Sequence, residues 1–261
     1  MCLVLFAVDP SSDHAFVMLS NRDESFVRPT AQAAFWSDAP HVLAGRDLEK
    51  GGTWAGVTRD GRIACVTNVR SPEARSSGKS RGSVVAGFLR ATYARPGQYA
   101  ASVAHAELPS HNALFVDGGE TVYTNETGVV TYVEPGVHGL SNARLDDPWP
   151  KVLRGKRALS AWIRDRGTVE EAFAILADET LYDDADLPKT GVPHVVERAL
   201  SSAFIHALRP SGYGTRASTV VLVGRDGMLT FVERIFDARG ETVSTSRFEF
   251  PIERSSARPL K

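Results

Sequence analysis

The chain opens on an apolar run, Cys2-Leu3-Val4-Leu5-Phe6-Ala7-Val8, which Asp9-Pro10 closes abruptly. The run has the length of a strand and falls far short of the roughly 20 residues a membrane-spanning helix needs. No basic residues precede it, so it does not read as a signal peptide either. The pattern predicts a first strand over 2–8 that pairs as a hairpin with a second over 15–20. Strands over 53–58 and 62–68 flank Arg59-Asp60-Gly61, a good hairpin turn. The polar, basic stretch 71–81 interrupts the pattern and reads as a loop.

A helix is predicted over 83–93, where Val84, Val85, Phe88, Leu89 and Tyr93 recur at helical spacing, with a weaker one over 98–106. Strands return at 113–116, 121–124 and 129–133, with turns at Asp117-Gly118-Gly119 and 125–128. Helices are predicted over 151–164, 169–177 and 195–208. Strands over 219–223, 229–235 and 242–250 close the chain, with Arg225-Asp226-Gly227 as a turn. Strands therefore come in hairpin-linked groups and do not alternate with single helices. That order predicts an α+β fold in which two antiparallel sheets pack face to face with helices outside. No linker is rich enough to divide it, so one domain over 1–261 is expected.

Composition narrows the function classes. The 30 basic residues against 31 acidic ones leave a net charge of −1, so no global field favours nucleic acid or an anionic membrane. Two cysteines are too few for a disulfide framework or a Cys-rich zinc site, and a reducing cytoplasmic setting is expected. The seven histidines are scattered without ligand spacing, so neither a metal nor another cofactor is expected. Gly212-Tyr213-Gly214-Thr215-Arg216-Ala217 has the letters of a dinucleotide fingerprint, but a predicted helix precedes it and a strand follows, the reverse of what the motif needs. Gly78-Lys79-Ser80 lacks the first glycine and the lead-in strand of a phosphate loop.

What remains is a cysteine at position 2, at the start of an apolar strand. Removal of Met1 by methionine aminopeptidase, normal before a small residue, leaves a thiol and a free α-amine on one residue. An α-amine titrates near 7.7–8.0 and a thiol near 8.5, so nucleophile and base coincide and no histidine is needed. The bland reading of Cys2 is a small hydrophobe at the edge of a core. Asn21-Arg22-Asp23-Glu24 ends the second predicted strand, and hairpin pairing brings it back toward Cys2. Arg22 there can favour the thiolate and Asp23 can hold the amine.

These residues carry a resemblance. Met1-Cys2, Asn21–Glu24 with Arg28-Pro29, Gly51-Gly52-Thr53-Trp54-Ala55-Gly56, Thr67-Asn68, His138-Gly139-Leu140-Ser141-Asn142 with Pro148-Trp149, Gly212–Arg216 and Phe231-Val232-Glu233-Arg234 follow in order along nearly the whole chain. Together they resemble the NRDE, or transport-and-Golgi-organisation protein 2, family, which is similar to N-terminal-nucleophile hydrolases such as bile-salt hydrolases and penicillin V acylases. The resemblance implies a four-layer αββα sandwich. It also implies a site of Cys2, Arg22, Asp23 and Asn142, with Asn68 and Arg216 in oxyanion or substrate-binding places; Asn21 is a further candidate beside Asp23, and Trp54, on a half-buried strand, can wall a substrate pocket, although a core Trp is the commoner arrangement. The hydrolases separate the Arg and Asp by two residues, whereas Arg22 and Asp23 are adjacent. On a regular strand adjacent side chains face opposite ways, so both reach Cys2 only if a bulge or turn intervenes; otherwise Asp23 serves with Asn21 and Arg22 looks elsewhere. Cys65, inside a predicted strand, reads as an inert buried thiol.

Two functions follow from the resemblance. One is a Cys2-nucleophile hydrolase or acyltransferase acting on an amide or thioester of a small acyl substrate. The alternative is a non-catalytic carrier for a lipid, acyl-CoA or haem on the same fold. Both make the partner a small molecule; neither calls for nucleic acid or a membrane-spanning segment.

Overall fold

The computed structural model describes residues 2–74, 80–91, 95–103, 108–206 and 208–253. Thirteen strands form two antiparallel sheets among them. The first sheet joins β1 (Cys2–Val8), β2 (His14–Ser25), β10 (Gly136–Leu140), β11 (Tyr213–Gly224), β12 (Met228–Phe236) and β13 (Thr242–Pro251), in the order β10-β1-β2-β11-β12-β13. The second runs in chain order through β3 (Thr30–Trp36), β4 (Ala39–Asp47), β5 (Ala55–Thr58), β6 (Ile63–Asn68), β7 (His111–Asp117), β8 (Glu120–Asn125) and β9 (Val130–Tyr132).

Three buried clusters define four layers. Val4, Phe6, Met18, Leu114, Val221 and Phe231 fill the space between the sheets. Val84, Phe88 and Ala100 seat α1 (Gly82–Arg90) and α2 (Pro96–Val103) on the second sheet. Leu5, Leu19, Leu159 and Phe173 seat α3 (Pro150–Arg164) and α4 (Val169–Leu176) on the first. This is the expected αββα sandwich. Strand alternation decides which residue joins which layer: Leu3 and Leu5 face the helices, while Val4 and Phe6 face the other sheet.

Three differences from the sequence pattern have physical causes. The pair β3–β4 carries Ala31, Ala33, Ala34, Ala39 and Ala44, weak strand formers, and its register shifts between Ala31 and Ala34, so no clean period of two survives. β2 runs on through Asn21–Glu24 to Ser25, because β11 supplies ladder partners for all four residues of that polar tetrapeptide and β1 for Asn21 and Arg22. The helix expected over 195–208 is only α5 (His194–Ala199). Beyond it the carbonyls are used by side chains: Lys151 donates to the Leu200 and Ser202 oxygens, Asn21 to that of Ala203, and the Ser202 hydroxyl to that of Phe204. β10 lies outside the strands predicted above, α1 ends at Arg90 where 93 was expected, and the ladder of β11 with β2 begins six residues earlier than expected; other boundaries differ by a residue or two. The Gly78-Lys79 segment, Tyr93 and part of the second predicted helix lie outside the described residues.

Candidate functional site

The site lies at the end of the first sheet where β1 begins. The β1–β2 ladder sets Cys2 opposite Arg22, and β10, which pairs with β1 as far as Val4–Leu140, leads directly into the segment that carries Asn142. Arg22 and Asp23 do face opposite ways. Arg22 points between the sheets, with its guanidinium 4.3 Å from the Trp54 ring centre and 3.9 Å from the Glu24 carboxylate. Trp54 is buried in the inter-sheet cluster just ahead of β5, so it is a core residue with its ring against the Arg22 guanidinium.

Asp23 and Asn21 point to the helix layer, in a buried polar network. Asp23 accepts a 2.7 Å bond from the Thr215 hydroxyl, and the Tyr213 hydroxyl donates to its carbonyl. Burial pushes the Asp23 carboxyl above its ordinary range, and the charges of Lys151 and Arg22 with the Thr215 bond pull it back. The bulge that could reconcile the two residues falls on the neighbouring strand: Asp23 pairs with Thr215, Arg22 with Ala217, and Arg216 is the extra residue between them. Without it Thr215 and Ala217 would share a face. With it, Thr215 meets Asp23 on the helix side while Ala217 stays between the sheets.

Asn21 acts as a brace. Its amide nitrogen donates to the Leu176 and Ala203 carbonyls and its oxygen accepts from Ser218, so both amide hydrogens are committed to backbone. The structure thus does not offer Asn21 to an oxyanion. Arg216 is half-buried and donates through Nη1 to the Ser25 and Arg28 carbonyls, tying down the turn after β2. Arg22 and Arg216 line a cleft of about 300 Å³ with Thr30, Gln32, Ile235 and Val243. Desolvation and the neighbouring Arg22 charge both lower the Arg216 pKa. A larger cleft of about 460 Å³, lined by His206, Arg209 and Arg239, contains none of these residues.

Asn68 and Asn142 touch directly. Asn142 Nδ2 lies 3.0 Å from both the carbonyl oxygen and the side-chain oxygen of Asn68. Binding of the Asn68 oxygen fixes the flip of that amide, so its own Nδ2 points away from Asn142, where it comes only within 3.5 Å of the Val69 carbonyl. Asn142 thus orients the Asn68 amide, and the Asn68 Nδ2 makes no close bond of its own.

Several supporting residues carried no legible role in the sequence. Asn112 donates to the Thr67 hydroxyl and the Ala143 carbonyl and accepts from Tyr123, while Thr67 donates to the Ser141 carbonyl. This chain fixes the segment that carries Asn142. Arg70 donates its backbone N–H to the Asn142 carbonyl, stacks over Trp149 and pairs with buried Glu197 at 3.1 Å. Two signals were present: Arg70 lies two residues after Asn68, and Lys151 lies two after Trp149. Cys65 is buried.

The Asp23–Thr215 contact makes a pH-dependent prediction. In Thr215→Val, Asp23 loses a donor and the Ile205 amide loses its acceptor. We expect a loss of about 2 kcal/mol in denaturant unfolding. The Asp23 bond favours the ionised form, so the loss should grow as pH rises from 5 to 8. A raised folded pKa means that this stability is fully present below the unfolded value, 3.8, and is lost as pH rises toward the folded value; losing the bond raises the folded value further and carries the loss to higher pH. Equal losses at both pH values would mean that Asp23 does not feel this hydroxyl.

Among the described residues no helix is long and apolar enough to cross a membrane. The fold resembles that of the C2A mutant of the conjugated bile acid hydrolase from Clostridium perfringens, with a TM-score of 0.54 over 97% of this chain and 98% of that one, at 11% identity. The sequence is 33% identical to the Transport and Golgi organization protein 2 homolog of Bos taurus, over 90% of this chain and 92% of that protein. It is 29% identical to the Homo sapiens homolog, over 97% of this chain and all of that protein. Residues 1–238 match the family described as Transport and Golgi organisation 2. With the resemblance read from Cys2 to Arg234 now matched by sequence and by fold, the chain belongs to the Transport and Golgi organisation 2 family.

Proposed function

We propose that the protein is an N-terminal-nucleophile hydrolase in which Cys2, exposed by loss of Met1, attacks the carbonyl carbon of an amide or thioester of a small acyl substrate. The observation that carries this reading is the register that sets Cys2 opposite Arg22. Arg22 favours the thiolate, and Asp23 on the neighbouring ladder position accepts a hydrogen bond from the Cys2 ammonium. Sulfur bonds to carbon, and the carbonyl oxygen becomes an oxyanion that receives the Asn68 Nδ2–H. The C–N or C–S bond then breaks, and the leaving group takes a proton from the ammonium. Water, deprotonated by the amine, releases the acid and restores the thiol. Arg216 with Arg22 gives the adjoining cleft a positive lining suited to an acidic part of the substrate. We place the reaction in the cytoplasm.

The same lining supports a second reading, a carrier that holds an anionic acyl compound such as acyl-CoA, another lipid or haem without cleaving it. One experiment separates the two. Intact-mass analysis of the purified protein should show a chain lighter by one methionine, which a β-lactone probe then acylates at Cys2. Retained Met1 turns the α-amine into an amide, and the hydrolase reading falls. A processed chain that binds acyl-CoA or haem but never gains the acyl mass is a carrier.

A further inference from the structure

Glu233, in the tetrapeptide Phe231-Val232-Glu233-Arg234, has no part in the mechanism above, and its placement is unusual for a carboxylate. It is 1% exposed. Its Oε1 accepts a 2.6 Å bond from the Ala33 amide of β3, so it joins the two sheets, while Oε2 is buried without a hydrogen-bond partner. The ladders define its neighbourhood. Arg22 pairs with Ala217 and Ala217 with Ile235, so Glu233 lies two residues along from Ile235 on the face from which Arg22 projects. Thr219 and Ser246 flank it on β11 and β13, and both are uncharged. The charge that reaches it is Arg22, whose other side meets Glu24 and the Trp54 ring.

We propose that Glu233 is a positioning residue for the Cys2 nucleophile, acting through Arg22: its ionisation offsets the guanidinium and so sets how strongly Arg22 favours the thiolate. The proposal rests on the Cys2 reading above. Burial pushes the Glu233 carboxyl up to about 7, against the Ala33 bond and Arg22, which lower it. Below that point the carboxyl is neutral, and the Arg22 field at the thiol is offset by Glu24 but not by Glu233. Above it the carboxylate cancels part of the Arg22 field just as the thiol begins to ionise. The thiol then ionises over a wider pH range than a lone group would.

The test is the pH dependence of iodoacetamide alkylation at Cys2, read by peptide mass so that Cys65 is counted apart. Wild-type protein should give a broad, shallow profile. Glu233→Gln should give a single sharp step with its midpoint lower by about half a unit to one unit, hence alkylation roughly threefold to tenfold faster at pH 7.5. Glu233→Asp, which keeps the charge, should restore the breadth. In an Arg22→Met background Glu233→Gln should change the rate less than about twofold. Superimposed wild-type and Gln profiles would overturn the proposal, as would a full effect of the Gln change without Arg22. If the Gln variant does not fold, carboxyl carbon NMR of the wild-type protein decides: a buried glutamate titrating near pH 7 and displaced by Arg22→Met supports the proposal, and its absence overturns it. Absence of an acyl adduct in wild-type protein is a different result, and it counts against the hydrolase reading alone.

Discussion

A Cys2→Ala variant should form no acyl adduct with a β-lactone or activated amide, at any pH or time at which the wild-type protein is fully labelled. The loss should be complete because the nucleophile itself is removed. Cys65 cannot substitute, since it is buried in the inter-sheet cluster. The variant keeps its α-amine after Met1 is removed, so it separates the thiol from the amine. If a water activated by that amine were the true nucleophile, hydrolysis would survive without a covalent adduct. Turnover of an amide or thioester substrate by Cys2→Ala at more than about a hundredth of the wild-type rate would therefore refute covalent catalysis by Cys2. The melting temperature should not change appreciably, which distinguishes lost chemistry from lost fold. Binding of acyl-CoA or haem by Cys2→Ala has separate meaning, because it would show that the cleft beside Arg22 and Arg216 recognises its ligand without the thiol.

Much of this arrangement was legible in the sequence, for reasons visible at particular residues. The unbroken apolar run Leu3–Val8 reports a strand buried on both faces, the helical spacing of Val84, Val85, Phe88 and Leu89 reports burial on one, and burial is what the four layers provide. Cys2 and Asn21–Glu24 were readable because their residue types fit one chemistry at hairpin distance. The alanine-rich β3–β4 pair was not, since its strand state comes from pairing and not from intrinsic preference. Neither was the work of Asn21, Asn142 and Glu233. An asparagine spent on two carbonyls and one donating to an oxyanion have the same letter, and only the partners supplied by distant segments tell them apart. Those partners lie 74 to 200 positions away along the chain. The Arg216 bulge belongs to the same class: it exists only in the register of β11 against β2.

That distinction sets what the two asparagines should do when each is removed. Asn68→Ala deletes the Nδ2 donor assigned to the oxyanion, and the acylation rate should fall roughly 10²- to 10³-fold, about 3–4 kcal/mol of transition-state stabilisation. Its effect on folding should be smaller, because Asn68 is only half-buried and its own amide nitrogen makes no close bond. Asn142→Ala should divide its cost differently. Asn142 is fully buried, and both of its amide hydrogens serve Asn68, so its loss leaves the Asn68 carbonyl and side-chain oxygens without those donors. Unfolding free energy should drop by about 2–3 kcal/mol. Acylation should also slow, because the Asn68 amide is no longer held to one flip, yet by less than in Asn68→Ala. In the double variant the rate should match Asn68→Ala, since an orienting residue contributes nothing once the group it orients is gone. If the two rate losses instead multiply, each asparagine donates to the oxyanion separately, and the serial arrangement drawn from the 3.0 Å contacts is wrong. Rates of acyl-enzyme formation in the four proteins, measured by intact mass under single-turnover conditions, decide between the two.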